Sequence, residues 1–255
     1  MRIETETAIR AVVKALQIID SRDGADDITS KGGIDLVTAA DVSSEDAIRT
    51  ELGQTFPEHV IVGEERGGTP VAGQPYWLVD PICGTRPYAS NVPLYCTNIA
   101  LVENGEVTAA AIGIGSSDEI LYAEKGNGAF MRSDGGDKPI HASDKSNTLW
   151  IGTMTEQGAD VVRNVLLKRR WYVWQFSSSV GYAYLAAGRI SGIIHFAPPL
   201  SPVHTAAGCF IAQEAGAIVT DPFDGSPWQL GMHSFLLAST PALHQELFEL
   251  IKQSY

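Results

Sequence analysis

The stretch WLVDPICGTRPYA, residues 77–89, decides how this chain reads. Its apolar start, Trp77 to Val79, predicts a buried strand. The run breaks at Asp80-Pro81 and passes into a small-residue turn, Gly84-Thr85, with Cys83 just before it. A carboxylate at the end of a buried strand is costly unless something pairs with it. Asp80 therefore needs a partner, and the thiol three residues on needs a reason.

Upstream, acids close two more apolar segments. Asp41 ends DLVTAAD, and Glu64 and Glu65 follow VIVG. Like charges gathered in one place require a cation or a proton between them. Oxygen ligands of this kind favour Mg²⁺ or Mn²⁺. Taken singly, each acid reads more readily as a solvated strand end; the set together is what points to a site.

Outward from this core, helical periodicity predicts a first helix over 3–21, then a Gly/Asp-rich loop over 22–35. A second helix is expected to start near Ser43 or Ser44 and to stop before Pro57. Strands are expected at Val60–Val62, Trp77–Val79, Thr97–Val102, Val107–Ile114, Glu119–Tyr122 and Ala129–Met131. Asn104-Gly105 between two of them is a hairpin turn signal. The second half predicts strands at Thr148–Met154 and Tyr172–Phe176. Helices are expected at Gly158–Leu167, Val180–Ala187, Thr205–Glu214 and Pro241–Gln253. The fold class is α+β, with an α+β half over 1–145, a more α/β-like half over 146–255, and no linker that demands separate domains.

The net charge of -12 argues against nucleic-acid binding by the surface as a whole. It leaves room for a small anionic substrate, because a bound cation inverts the local field. No apolar run is long enough for a membrane span, and the acidic N-terminus does not read as a signal peptide. Three widely spaced cysteines, Cys83, Cys96 and Cys209, make a disulfide framework unexpected and suit a reducing, cytoplasmic setting.

Several stretches in fixed order together resemble the inositol monophosphatase family of magnesium-dependent, lithium-sensitive phosphatases. They are KGGIDLVTAAD (31–41), FPEHVIVGEE (56–65), WLVDPICGT (77–85), NIALVENGEV (98–107), KGNGAF (125–130), AYLAAGRISG (183–192) and AAGCFIAQEAGAIVTD (206–221). The resemblance implies a layered α/β/α/β/α sandwich over residues 1–255 as a single domain, usually a homodimer. It implies hydrolysis of a small phosphorylated substrate by a metal-activated water, with two or three Mg²⁺ ions. By position, Glu64, Asp80 and the Ile82 carbonyl would hold the first metal. Asp41 and Thr85 would position and activate the water. The Gly84-Thr85 backbone would hold the phosphate, and Lys31 would lie in a mobile loop beside the site.

The sequence departs from the family at two places that belong together. The family has an aspartate where Cys83 stands and another where His204 stands; with Asp80 these bind the second metal. His195 falls where many members place an acid that contacts the polyol, and Ser177 and Ser178 occupy a substrate-contacting turn. Arg86 replaces the usual residue after Thr85 and either meets an anionic substrate or lies in solvent. Cys83 and His204 leave several readings open. With Asp80 they offer O, S and N ligands suited to Zn²⁺ or Fe²⁺ more than Mg²⁺. Alternatively the second metal is absent and His204 assists the leaving oxygen as an acid. In a third reading hydrolysis is lost, and the scaffold binds a ligand or serves another reaction. A nucleophilic Cys83 belongs to that third reading, and Asp80 and Glu64 disfavour it by raising the thiol pKa. The expected activity is a metal-dependent phosphomonoesterase acting on a small phosphorylated polyol, sugar or nucleotide-derived metabolite. A non-hydrolytic family member is the alternative.

Overall fold

A computed structural model describes residues 1–21, 28–32, 35–115, 117, 119–153, 155–176, 178–196 and 201–254. Helix α1 (Ile3–Asp20) is followed by a short antiparallel pair, β1 (Thr29–Gly32) and β2 (Asp35–Val37), and by α2 (Ala39–Thr55). Then come β3 (Val60–Gly63), β4 (Tyr76–Cys83), the short helix α3 (Thr85–Ala89), β5 (Cys96–Glu103) and β6 (Glu106–Ile114). β7 (Ile120–Glu124), β8 (Gly128–Ser133) and β9 (Gly136–Ile140) complete a seven-stranded sheet ordered β3-β4-β5-β6-β7-β8-β9, in which only β3 and β4 run parallel. The Asn104-Gly105 signal holds: both residues take positive φ, 52° and 81°, as a tight hairpin turn between β5 and β6 needs.

The second half supplies β10 (Thr148–Thr153), α4 (Glu156–Leu167), β11 (Tyr172–Trp174), α5 (Val180–Ala186) and β12 (Gly192–Phe196). A 3-10 turn (Pro202–His204) leads into α6 (Ala206–Glu214), followed by β13 (Ile218–Thr220), β14 (Phe235–Ala238) and α7 (Pro241–Lys252). The five-stranded sheet is ordered β11-β10-β12-β14-β13, with β14 antiparallel to both its neighbours.

Strand alternation sorts the core into layers. Trp77 and Val79 of β4 pack with Ile9, Val12 and Leu52 of α1 and α2, while the intervening Leu78 packs with Val180, Phe210 and Ile211 of α5 and α6. The opposite side of α5 and α6 meets Trp150, Ile193 and Phe235 of the second sheet. That sheet's outer face, Ile151, Ile194 and Leu236, is covered by α4 and α7. The layers run α/β/α/β/α, in agreement with the expectation from sequence.

Four local readings change. The loop expected over 22–35 carries β1 and the first residue of β2, a short antiparallel pair. α2 begins at Ala39, not at Ser43 or Ser44, because Thr38 and Asp41 form a reciprocal capping box that starts the helix four residues earlier. Asp41 is thus a first-turn helix residue and not a strand end. β4 does not stop at Val79: it continues through Asp80-Pro81 to Cys83, and the register shift between Asp80 and Cys83 accommodates the proline. The expected strand to Phe176 ends at Trp174.

Candidate metal and phosphate site

Asp80 shares the β4 face of Leu78, so it points into the layer between the two sheets, where α5 and α6 begin. It is fully buried. Its Oδ2 lies 2.8 Å from Nδ1 of His204, the last residue of the 3-10 turn before α6. Its Oδ1 is buried with no hydrogen-bond partner among the described residues. An unpaired buried carboxylate oxygen is expensive, so the position is built for something that binds there. Asn98 on β5 stands directly opposite Asp80, also fully buried, with Nδ2 likewise unpartnered among the described residues.

Cys83 follows on the shifted end of β4, and its side chain meets the loop that enters α5. The Ser179 hydroxyl lies 2.9 Å from Sγ, and the Ser179 backbone N–H donates to the same sulfur at 3.3 Å. The Ser179 hydroxyl donates to the His204 carbonyl at 2.5 Å, so the sulfur is the donor in the contact between the two side chains. Ser178 donates to the Cys83 carbonyl at 2.9 Å. These bonds tie the end of β4 to the starts of α5 and α6. They bring ligand atoms of Asp80, Cys83 and His204 within 4.8 Å of one another, the one such group found among the described residues.

Glu64 sits in the turn after β3, its Oε2 4.0 Å from the same Nδ1 of His204. Its backbone N–H donates to the Val79 carbonyl at 3.1 Å. Thr85 opens α3, with its hydroxyl 3.1 Å from the Ile82 carbonyl and 3.2 Å from Oδ1 of Asp41, so it can donate to either. Asp41 is fully buried, and Oδ2 accepts from the Thr38 N–H and hydroxyl at 2.8 and 2.6 Å. Gly84 takes φ 104°, and a Cβ there would sit 2.7 Å from the Leu94 carbonyl, so only glycine makes this turn.

The charges follow from these contacts. Burial raises the Asp41 carboxyl to about 6, with the Glu65 and Asp80 charges adding and the Thr38 bonds opposing. Burial would lower His204, but hydrogen bonds and charge from Asp80 and Cys83 outweigh it and lift the imidazolium to about 11. Cys83 is itself pushed well up by contact with Cys96, by burial and by the Asp80 charge, against the pull of His204. Its sulfur is then a neutral thiol, and the His204 ring carries its proton against Asp80 Oδ2.

Other residues singled out in the sequence lie elsewhere or outside the description. Ser177 lies outside the described residues, as does the side chain of Lys31 on β1. Arg86 is exposed on α3. His195, on β12, packs edge-on to Trp150 at 5.5 Å between ring centres and lies 6.0 Å from Phe235. Both its ring nitrogens are buried without a partner among the described residues, and burial lowers it to about 4, so it is a neutral imidazole.

Sequence reasoning missed Glu45. This fully buried carboxylate accepts from the N–H groups of Glu65 and Arg66 at 2.7 and 3.1 Å and from Arg49 at 2.8 Å. Arg49 reaches on to the Ile61 and Gly67 carbonyls. Together they fix the turn that carries Glu64. Nothing in the sequence signals this; in the fold, a Cβ at Gly63 would meet Oε1 of Glu45 at 2.0 Å.

Residues 2–255 match the model of the inositol monophosphatase family. An inositol-1-monophosphatase of Mesorhizobium japonicum is 31% identical over 239 residues, covering 89% of this chain and 86% of the relative. A fructose-1,6-bisphosphatase/inositol-1-monophosphatase of Thermotoga maritima is 29% identical over 229 residues, covering 89% and 87%. The solved structure of a Thermotoga maritima IMPase superposes with a TM-score of 0.87 at 26% identity, covering 99% of this chain and 98% of that one.

Proposed function

The chain belongs to the inositol monophosphatase family, whose members are metal-dependent phosphoric monoester hydrolases, and from that premise we propose that it hydrolyses the phosphate of a small phosphorylated polyol, sugar or nucleotide-derived metabolite. The observation that carries this reading is the buried, unpartnered Oδ1 of Asp80, with Glu64 Oε2 4.0 Å from the same His204 nitrogen that Asp80 meets and the Ile82 carbonyl two residues on along β4. These oxygen donors fit one Mg²⁺, which when bound supplies Lewis acidity and offsets the phosphate charge. Asp41 and Thr85 then hold the attacking water. The Thr85 hydroxyl, in reach of both the Asp41 carboxylate and the Ile82 carbonyl, fixes the direction from which a proton can be taken. Gly84 and Thr85 receive the phosphate through their backbone, and Arg86, Lys31, Ser177 and Ser178 border the substrate. His195, a neutral ring packed against Trp150 and Phe235, is left out of the substrate contacts.

The second metal position is altered. A thiol and an imidazole replace two carboxylates, and this set does not fit a second Mg²⁺. A non-hydrolytic role is the rival reading, and the direct Asp80–His204 contact, which fills that position, favours it. The single-domain reading is supported by α6, which packs against strands of both sheets. A homodimer and a cytoplasmic location complete the proposal.

The test is an assay of purified protein on inositol, sugar and nucleotide phosphates under Mg²⁺, Mn²⁺ and Zn²⁺, with bound metal measured. Turnover that Glu64→Gln abolishes is expected. No turnover with any metal sinks the hydrolase reading in favour of its rival. A Cys83→Asp, His204→Asp double variant that gains Mg²⁺-dependent turnover absent from the parent marks the second site as repurposed.

A further inference from the structure

We propose that Asp80, Cys83 and His204 form a site for a thiophilic transition ion, Zn²⁺ foremost, where the family's fold would place a second Mg²⁺. The inference rests on the altered second position described above. Mg²⁺ is a hard ion that demands oxygen ligands, and neither the Cys83 sulfur nor the His204 ring supplies one. One oxygen, one sulfur and one nitrogen within 4.8 Å of each other suit Zn²⁺, which takes such mixed sets and in catalytic sites keeps a fourth position open.

The surroundings are arranged for ligation. Asp80 is fully buried, and its two oxygens differ: Oδ2 faces His204, whereas Oδ1 has no partner among the described residues. Ser179 supports two of the ligands at once. Its backbone N–H already points at the Cys83 sulfur at 3.3 Å, a contact that favours a thiolate, and its hydroxyl pins the turn that carries His204. Such supporting contacts orient metal ligands and tune their basicity. In the ion-free chain, the Cys83 thiol donates to Ser179 and a proton joins His204 to Asp80. Ion binding releases the thiol proton and the ring proton to solvent; no electron moves.

Cobalt(II) is the probe, because it substitutes for zinc and reports a bound thiolate by a charge-transfer band in the near ultraviolet. Apoprotein under reductant is titrated with Co²⁺, and the same series is followed by competition with Zn²⁺. The parent and a Cys209→Ser control are expected to show the band. Cys83→Ser is expected to lose it and to bind zinc more weakly by more than the roughly 10-fold to 100-fold that loss of a supporting contact costs. Ser179→Ala, which removes only the hydroxyl, keeps the band and weakens binding by about 10-fold. Cys83→Asp guards against a folding failure: it should bind Co²⁺ without the band. Bound cobalt with no band in the parent, or a band that survives in Cys83→Ser, overturns the inference. A band without phosphatase turnover refutes the hydrolase reading and leaves the ion site standing. Mg²⁺-driven turnover with no band does the reverse.

Discussion

Asp41 illustrates what a residue's type shows and what its position adds. As an acid after an apolar segment it is visible in the sequence, but its role depends on Thr38 and Thr85, which fix its two oxygens separately. If Asp41 orients the water, Asp41→Asn keeps the Thr38 contact and loses the proton acceptor. kcat is then expected to fall by roughly 10² to 10⁴, the range for a positioned base, with KM little changed in steady-state assays. A change confined to KM would assign Asp41 to binding instead. His195 makes the opposite case. Its place in the sequence suggested a substrate contact, whereas its buried ring behaves as part of the aromatic core beside Trp150. Because its folded pKa is lowered to about 4 from an ordinary 6.5, the unfolded chain binds the proton more readily between those values. Stability from this group is complete above about pH 6.5 and is lost as pH falls through the window. Between pH 7 and 5 the loss is about 2 kcal/mol. Urea unfolding at both pH values should show His195→Phe losing less stability on acidification than the parent by that amount; equal losses would contradict a neutral buried ring.

At the scale of elements, legibility followed the length and patterning of each segment. α1 and the β5–β6 hairpin are readable because periodicity and the Asn-Gly turn act locally. β12, β13 and β14 are absent from the sequence-based expectation: they are three to five residues long, mostly apolar and mostly buried, so they carry no alternation. The start of α2 has a local signal in Thr38-Ala39-Ala40-Asp41, a capping pattern that an expected start at Ser43 or Ser44 overlooks. Glu45 has none, since an acid in an early helical turn ordinarily faces water; only the folded β3 turn shows it buried. That turn gives a sharp expectation for Gly63→Ala. The new Cβ would displace a carboxylate that cannot simply swing away, because it is bound to two backbone N–H groups and Arg49. The cost should be about 2 kcal/mol, or a Tm lower by several degrees in a chain of this size. Affinity for Mg²⁺ should fall as well, since the turn carries Glu64. A parent-like melt and parent-like Mg²⁺ binding would show that the Glu45 network does not set the site. Gly208 plays the same part between helices: a Cβ there would lie 2.6 Å from Tyr182, so Gly208→Ala should force α5 and α6 apart and cost about 1–3 kcal/mol in chemical denaturation.

At the scale of the whole molecule, the layering converges on one place. β4 delivers Asp80 and Cys83, the β3 turn delivers Glu64, α2 delivers Asp41, and the starts of α5 and α6 deliver Ser179 and His204. Three carboxylates meet there in a chain already at net charge -12, so the ion-free fold concentrates repulsion that a cation relieves. An ion that binds only the folded chain stabilises it by mass action, by about 2.7 kcal/mol at a hundredfold excess over Kd. For a chain of this length that is a rise in Tm of roughly 5–10 °C. Two independent increments are expected in thermal unfolding. Mg²⁺ should give the first, and Asp80→Asn should erase it. Zn²⁺ added over saturating Mg²⁺ should give a second, which Cys83→Ser erases while leaving the first in place. If the zinc increment persists without the thiol, or if Mg²⁺ raises the Tm of Asp80→Asn as much as that of the parent, then the cations bind elsewhere and the convergence of acids at β4 is not what holds them.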